Sequence, residues 1–143
     1  MDELSEDEEK LFGALKDFFP LELLRTYWKN YNLPKPLFQW QIDALTKRSV
    51  TIENRNFIFS APTSAGKSLV ADLLFLRPLM LRKKHQVEPV DVESRPVSLF
   101  IVPFLSLILE KETKISALLK ELNLNYISIY SHKRAILPAD ADE

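Results

Sequence analysis

Residues Ala61, Pro62, Thr63, Ser64, Ala65, Gly66, Lys67 and Ser68 end in a glycine, a lysine and a hydroxyl in consecutive positions. A triphosphate concentrates several negative charges in a small volume, and holding it takes clustered backbone amides, a mobile cation and an oxygen for magnesium. The amides of residues 62–67 at a helix start would supply the first, the Lys67 ammonium the second and the Ser68 hydroxyl the third. Gly66 would let the backbone come close to the phosphates. The stretch therefore predicts an ATP-binding loop with Lys67 and Ser68 as its catalytic residues and Ser68 as the Mg²⁺ ligand, although Ala61 stands where the general pattern has glycine. The competing account is structural: Lys67 and Ser68 only solvate and cap a helix start.

Hydrolysis asks for more than binding. A second acidic strand end holds magnesium and positions the attacking water, and further arginines complete the clamp on the transferring phosphoryl group. The expected strand ends here lead into Pro103 and Ser131, and neither offers an Asp-Glu pair. Asp140, Asp142 and Glu143 lack the preceding apolar run that would fix them and read as a solvated tail. His85 and His132 have no second ligand at metal spacing. Ser131-His132-Lys133-Arg134 is a short basic patch, equally suited to nucleic acid or to an exposed loop end. The loop is thus expected to hold nucleotide weakly without cutting it.

The elements that must position this loop follow from apolar spacing. Phe57 to Ser60 reads as a strand leading into it, and Leu69, Leu73, Leu76 and Met80, widened by Val70 and Leu74, predict the helix behind it, bent or ended near Pro78. Residues 82–96 lack an apolar period and read as an exposed connection. Val97 to Val102 predicts a second strand, Leu105 to Leu122 a helix with Ile108, Ile115, Leu119 and Leu122 inward, and Leu124 to Tyr130 a third strand. Upstream, Ser5 and Glu8 form a capping-box pair that starts a helix over residues 6–18. A second helix is predicted over Leu21 to Tyr31, with Tyr27, Trp28 and Tyr31 as core rather than a base-stacking platform, and a third over residues 38–49. The implied class is α/β: a RecA-like P-loop NTPase parallel sheet with flanking helices, its first portion only, preceded by a helical segment. The expected division is an N-terminal helical segment over residues 1–36 and a partial ATP-binding domain over 37–143.

Composition bounds the rest. The 143 residues are 46% apolar, contain no cysteine and carry no apolar run long enough to span a bilayer. The acidic opening has no secretory-signal character, so an intracellular, reducing setting is the default expectation. Six acidic residues at positions 2–9 and three at 140–143 flank a middle with 19 basic against 11 acidic groups, an excess of 8 that suits either a solvated basic surface or attraction to nucleic acid.

Phe38-Gln39-Trp40-Gln41, the loop at 61–68, and Ile101-Val102-Pro103-Phe104-Leu105-Ser106-Leu107-Ile108-Leu109-Glu110-Lys111 together resemble the start of a helicase domain. The likeness is to the Ski2-like group of superfamily 2, specifically DNA polymerase theta and the polymerase-theta-like helicase, over about residues 30–131. The resemblance implies an adenine-reading role for Gln41, phosphate and magnesium roles for Lys67 and Ser68, and contacts to single-stranded or forked DNA from Pro103, Phe104, Ser106 and Lys111. It also implies a nuclear location and work in DNA repair. The acidic box, the coupling motif and the second RecA-like domain of such enzymes do not occur in the sequence, so it reads as part of an ATP-dependent DNA helicase. The alternative is a non-catalytic nucleotide-binding or single-stranded-DNA-binding regulatory short form.

Overall fold

The computed structural model describes residues 3–33, 35–53, 55–62, 66–84 and 98–126. The chain divides into two compact units, residues 1–100 and 101–143.

The first unit begins with α1, Glu6–Phe12, and the capping box expected at its start is formed. The Ser5 hydroxyl accepts from the Glu8 amide at 3.2 Å and the Glu8 carboxylate accepts from the Ser5 amide at 3.0 Å. The predicted longer helix instead tightens into a 3-10 turn at Gly13–Leu15, which turns Phe12 and Leu15 into the interior. Helix α2, Leu21–Tyr31, has the predicted bounds. Asn32 ends it at φ 44°, with the Leu33 amide donating back to the Trp28 carbonyl at 3.2 Å. Asparagine here takes the left-handed stop that glycine usually fills, which is how a chain with two glycines closes its helices.

The expected helix over 38–49 is broken into α3, Gln39–Leu45, and α4, Arg48–Thr51. Helix α5, Lys67–Lys84, carries the predicted Leu69 to Met80 face and does not end at Pro78, one of the two outcomes expected there. Pro78 cannot donate to the Leu74 carbonyl, but Leu73, Leu76 and Met80 on either side are fully buried, and their packing outweighs one lost bond. The core of this unit is the seam of α2 and α3 with α5, filled by Leu15, Leu23, Leu24, Leu45, Leu73 and Leu76. Polar ties cross it. The Tyr27 hydroxyl donates to the buried Asp72 carboxylate at 3.1 Å, and Arg77 donates to the Phe18 carbonyl at 2.6 Å. Tyr27 and Trp28 are core residues, as their spacing predicts.

The predicted parallel sheet does not form, and the α/β class is corrected on that ground: among the described residues every regular element is helical. Phe57 to Ser60 carries no ladder, and Ile58 is 95% exposed. Ser98 to Val102 likewise forms no strand, with Leu99 76% and Ile101 81% exposed. Leu124 to Tyr126 forms no strand, and the remainder of that predicted strand lies outside the described residues. A strand satisfies its amides and carbonyls only against a neighbour, so apolar strand patterning without a partner leaves side chains in water.

The second unit contains α6, Leu105–Glu121, close to its predicted span. Ile115, Leu118, Leu119 and Leu122 form its buried stripe, and Asn123 at φ 51° closes it with the Leu124 amide on the Leu119 carbonyl at 2.8 Å. The predicted i,i+4 ion pair of Glu110 with Lys114 is present and holds the Glu110 carboxyl below its ordinary range.

Candidate functional site

Helix α3 presents Gln41 inward, 4% exposed, where both ends of its amide are engaged. Its oxygen accepts from the Phe38 amide at 2.9 Å and its nitrogen donates to the Gly66 carbonyl at 3.2 Å. Gly66 has φ +83°, and a Cβ there would stand 2.6 Å from the Gln41 nitrogen. Glycine is therefore required at 66 by its left-handed backbone and by the close approach of Gln41. The sequence puts Gln41 and Gly66 25 residues apart, and the fold brings them into direct contact.

Lys67 does not reach outward. Its ammonium donates to the Ala61 and Pro62 carbonyls at 2.7 Å each, folding the cation onto its own loop. Ser68 is exposed in the first turn of α5, and Thr63, Ser64 and Ala65 lie outside the described residues. Among the described residues no group of three or more His, Asp or Glu side chains is arranged to hold a metal ion.

These observations correct the reading of the loop as an ATP and Mg²⁺ site, and with it the reading of the chain as the ATP-binding portion of a P-loop NTPase and hydrolase. Such a loop aims its amides and lysine because a paired strand and a following helix fix both of its ends. Here the helix is present, the strand is unpaired, and carbonyl oxygens take the lysine's donors.

The residues expected to meet DNA are on the second unit. Pro103, Phe104 and Ser106 are exposed at the start of α6, Phe104 by 66%, while Lys111 is half-buried one to two turns further on. Phe104 is the N-cap and, among the described residues, no side chain caps this helix. The Leu107 and Ile108 amides both turn to the Phe104 carbonyl, which leaves the earliest amides of α6 directed outward. His85, His132 and the basic patch at 131–134 fall outside the described residues.

One cluster was missed by sequence reasoning. Phe38, Trp40, Phe59 and Phe57 form a row of rings with successive centroid separations of 6.2, 5.2 and 5.9 Å and interplanar angles of 12°, 21° and 30°. The Lys47 ammonium sits 5.8 Å from the Phe57 ring centre. The signal was the paired spacing Phe-x-Trp and Phe-x-Phe, two doublets whose contact depends on the fold.

The DEAD/DEAH box helicase family profile matches residues 40–138, well over half of the sequence. The chain belongs to that helicase family. It is 38% identical to DNA polymerase theta of Mus musculus over 90 residues, 63% of this chain and 3% of that protein. Over 115 residues it is 31% identical to Helicase POLQ-like of Homo sapiens, 80% of this chain and 9% of that protein. With DNA polymerase theta of Caenorhabditis elegans it shares 39% over 85 residues, 59% of this chain and 4% of that protein. The chain thus spans a small part of each relative's length, and no solved structure matches it. The resemblance drawn from Phe38–Gln41, the 61–68 loop and the 101–111 segment is confirmed at the family level.

Proposed function

We propose that this chain acts as a non-catalytic module of the helicase family that binds single-stranded DNA, in the nucleus and in the service of DNA repair. The observation that carries it is the start of α6. A Pro-Phe-x-Ser segment there exposes an aromatic ring and a hydroxyl beside outward-directed helix amides, the donor set suited to a phosphodiester with an unstacked base beside it. The DNA polymerase theta and Helicase POLQ-like relatives support the choice of DNA and of a nuclear setting. Lys67, held by two carbonyls, supports the absence of turnover.

The test is fluorescence anisotropy of a labelled oligothymidylate with the intact chain, in parallel with a phosphate-release assay. Salt-sensitive binding that Phe104→Ala and Ser106→Ala each weaken, with no phosphate release above a protein-free control, is the expected result. Oligonucleotide binding unaffected by both substitutions would remove α6 from the interface. Phosphate release that disappears in Lys67→Ala would overturn the non-catalytic reading.

A further inference from the structure

The aromatic row belongs to the first unit, whereas the segments assigned above to DNA belong to the second, and neither the family profile nor the relatives' names give it a role. Two pieces of chain build it. Phe38 and Trp40 flank the start of α3, while Phe57 and Phe59 lie two apart in the unpaired stretch before the loop, with the 95%-exposed Ile58 between them. Trp40 joins the two doublets, since its ring is stacked with both Phe38 and Phe59.

Phe38, Trp40 and Phe59 are stacked and Phe57 is tilted by 30° against Phe59, so the row has Phe38 and Phe57 as its two ends. At one end Lys47 stands over Phe57. At the other, Phe38 is 60% exposed, although a phenyl ring gains little by facing water. A planar aromatic group laid on Phe38 would extend the stack by one member.

Charge favours an anionic occupant. Between residues 35 and 59 there are four basic side chains, Lys35, Lys47, Arg48 and Arg55, against two acidic ones. The acidic groups are already engaged: Asp43 accepts from Gln39 at 2.9 Å, and Glu53 pairs with Arg55 at 2.8 Å. Lys35, Lys47 and Arg48 are exposed, Lys35 three residues before the outer ring and Lys47 at the far end of the row. An aromatic platform flanked by cations matches a strand of unpaired nucleotides, whose bases stack and whose phosphates meet the lysines.

We infer that Phe38, backed by Trp40, Phe59 and Phe57, is a base-stacking end plate for unpaired DNA on the first unit, with Lys35 and Lys47 meeting the strand's phosphates. This rests on the DNA-binding reading above and adds a contact surface on the first unit.

Trp28 and Trp40 are the two tryptophans of the chain, so Trp28→Phe leaves Trp40 as the sole indole reporter inside the row. In that background, oligothymidylate is expected to quench Trp40 emission along the same curve that anisotropy of the labelled oligonucleotide follows. Phe38→Ala is expected to weaken binding by roughly five- to hundredfold, the range for loss of one base–aromatic stack, while Phe38→Tyr retains it. Lys47→Gln should reduce the slope of log affinity against log salt by about one contact. Circular dichroism of each variant should match the parent, because Phe38 is a surface ring.

Binding with unchanged Trp40 emission, or with an affinity that Phe38→Ala leaves intact while Phe104→Ala removes it, would overturn the end plate and leave the α6 reading standing. Loss with Phe38→Ala and indifference to Phe104→Ala would do the reverse. Equal affinity for a closed circular duplex would also overturn the end plate, since every base pair in it is already stacked on both faces. Failure of both Phe38→Ala and Phe104→Ala to change a measurable affinity would reject both surfaces.

Discussion

Helices α2 and α5 and the segments Phe57–Ser60 and Ser98–Val102 are all rich in apolar side chains, and they end in opposite environments. In the helices Leu23, Leu24, Leu73 and Leu76 are fully buried, whereas Ile58, Leu99 and Ile101 stand largely in water. A helix closes its hydrogen bonds within itself and needs a neighbour only for one face. A strand needs a neighbour for every amide and carbonyl along its edges. Apolar patterning therefore specifies where a segment would be buried if it were paired, and pairing is a separate requirement that α2 and α5 meet through each other.

The contrast is sharpest under truncation. Leu73→Ala removes a side chain with no solvent exposure from the α2/α3/α5 seam and should cost about 2–5 kcal/mol, read as a lower midpoint in chemical denaturation followed by helical circular dichroism. An effect below about 1 kcal/mol would mean that the seam is loosely packed and that the two regions differ less than their exposures suggest.

Tyr27→Phe probes the polar side of the same seam. It withdraws a donor from the buried Asp72 carboxylate and should cost about 1–3 kcal/mol in the same measurement. Tyr31, stacked on Tyr27 at 4.5 Å, adds an alkaline signature. Burial, and after it the nearby Asp72 charge, push its hydroxyl up from 10.0 to about 12. The folded state holds this proton after the unfolded chain has released it. Its contribution is thus complete below about pH 10 and lost as pH rises through about 12. Tyr31→Phe should flatten that part of the alkaline stability curve; an unchanged curve would mean the phenol is not enclosed.

At the first helix Ser5→Ala should cost about 1 kcal/mol, because one orphan amide loses its acceptor. The Arg25 guanidinium, then the Ser5 amide, hold the Glu8 carboxyl below its ordinary 4.5. A carboxyl lowered by folding stabilises above its unfolded value and loses that contribution as pH falls through the lower folded value. Glu8→Gln should remove this component from the acid limb of the stability curve, and an acid limb identical to the parent's would exclude the pair as a source of stability.

The smallest change belongs to the exposed segment. Ile58→Ser should alter stability by no more than about 0.5 kcal/mol. A loss above 2 kcal/mol would show that this stretch is buried in solution and would erase the comparison.

Much of the helical layer was legible from local features. The span of α2 is the predicted Leu21 to Tyr31, and the start of α1 follows from a hydroxyl and a carboxylate three residues apart. Those features act over one or two turns and do not depend on distant chain. The break at Thr46-Lys47 was not legible, because it turns on how the neighbouring side chains pack. The site divides the same way. Gly66 and Lys67 announced a phosphate loop through their types and order, yet what they touch is decided elsewhere, by Gln41 on α3 and by the carbonyls of Ala61 and Pro62.

The sequence by itself determined membership in the helicase family, the spans of α2 and α6, and the aromatic doublets at 38–40 and 57–59. These are properties of residue order and short spacing. Only the tertiary structure decided that the doublets meet in one row, that Lys67 folds onto its own loop, and that the described parts of the strand-patterned segments form no sheet. The first and last depend on groups many residues apart or on a neighbour's presence; the contacts of Lys67 lie five and six residues back and depend on how its own loop folds.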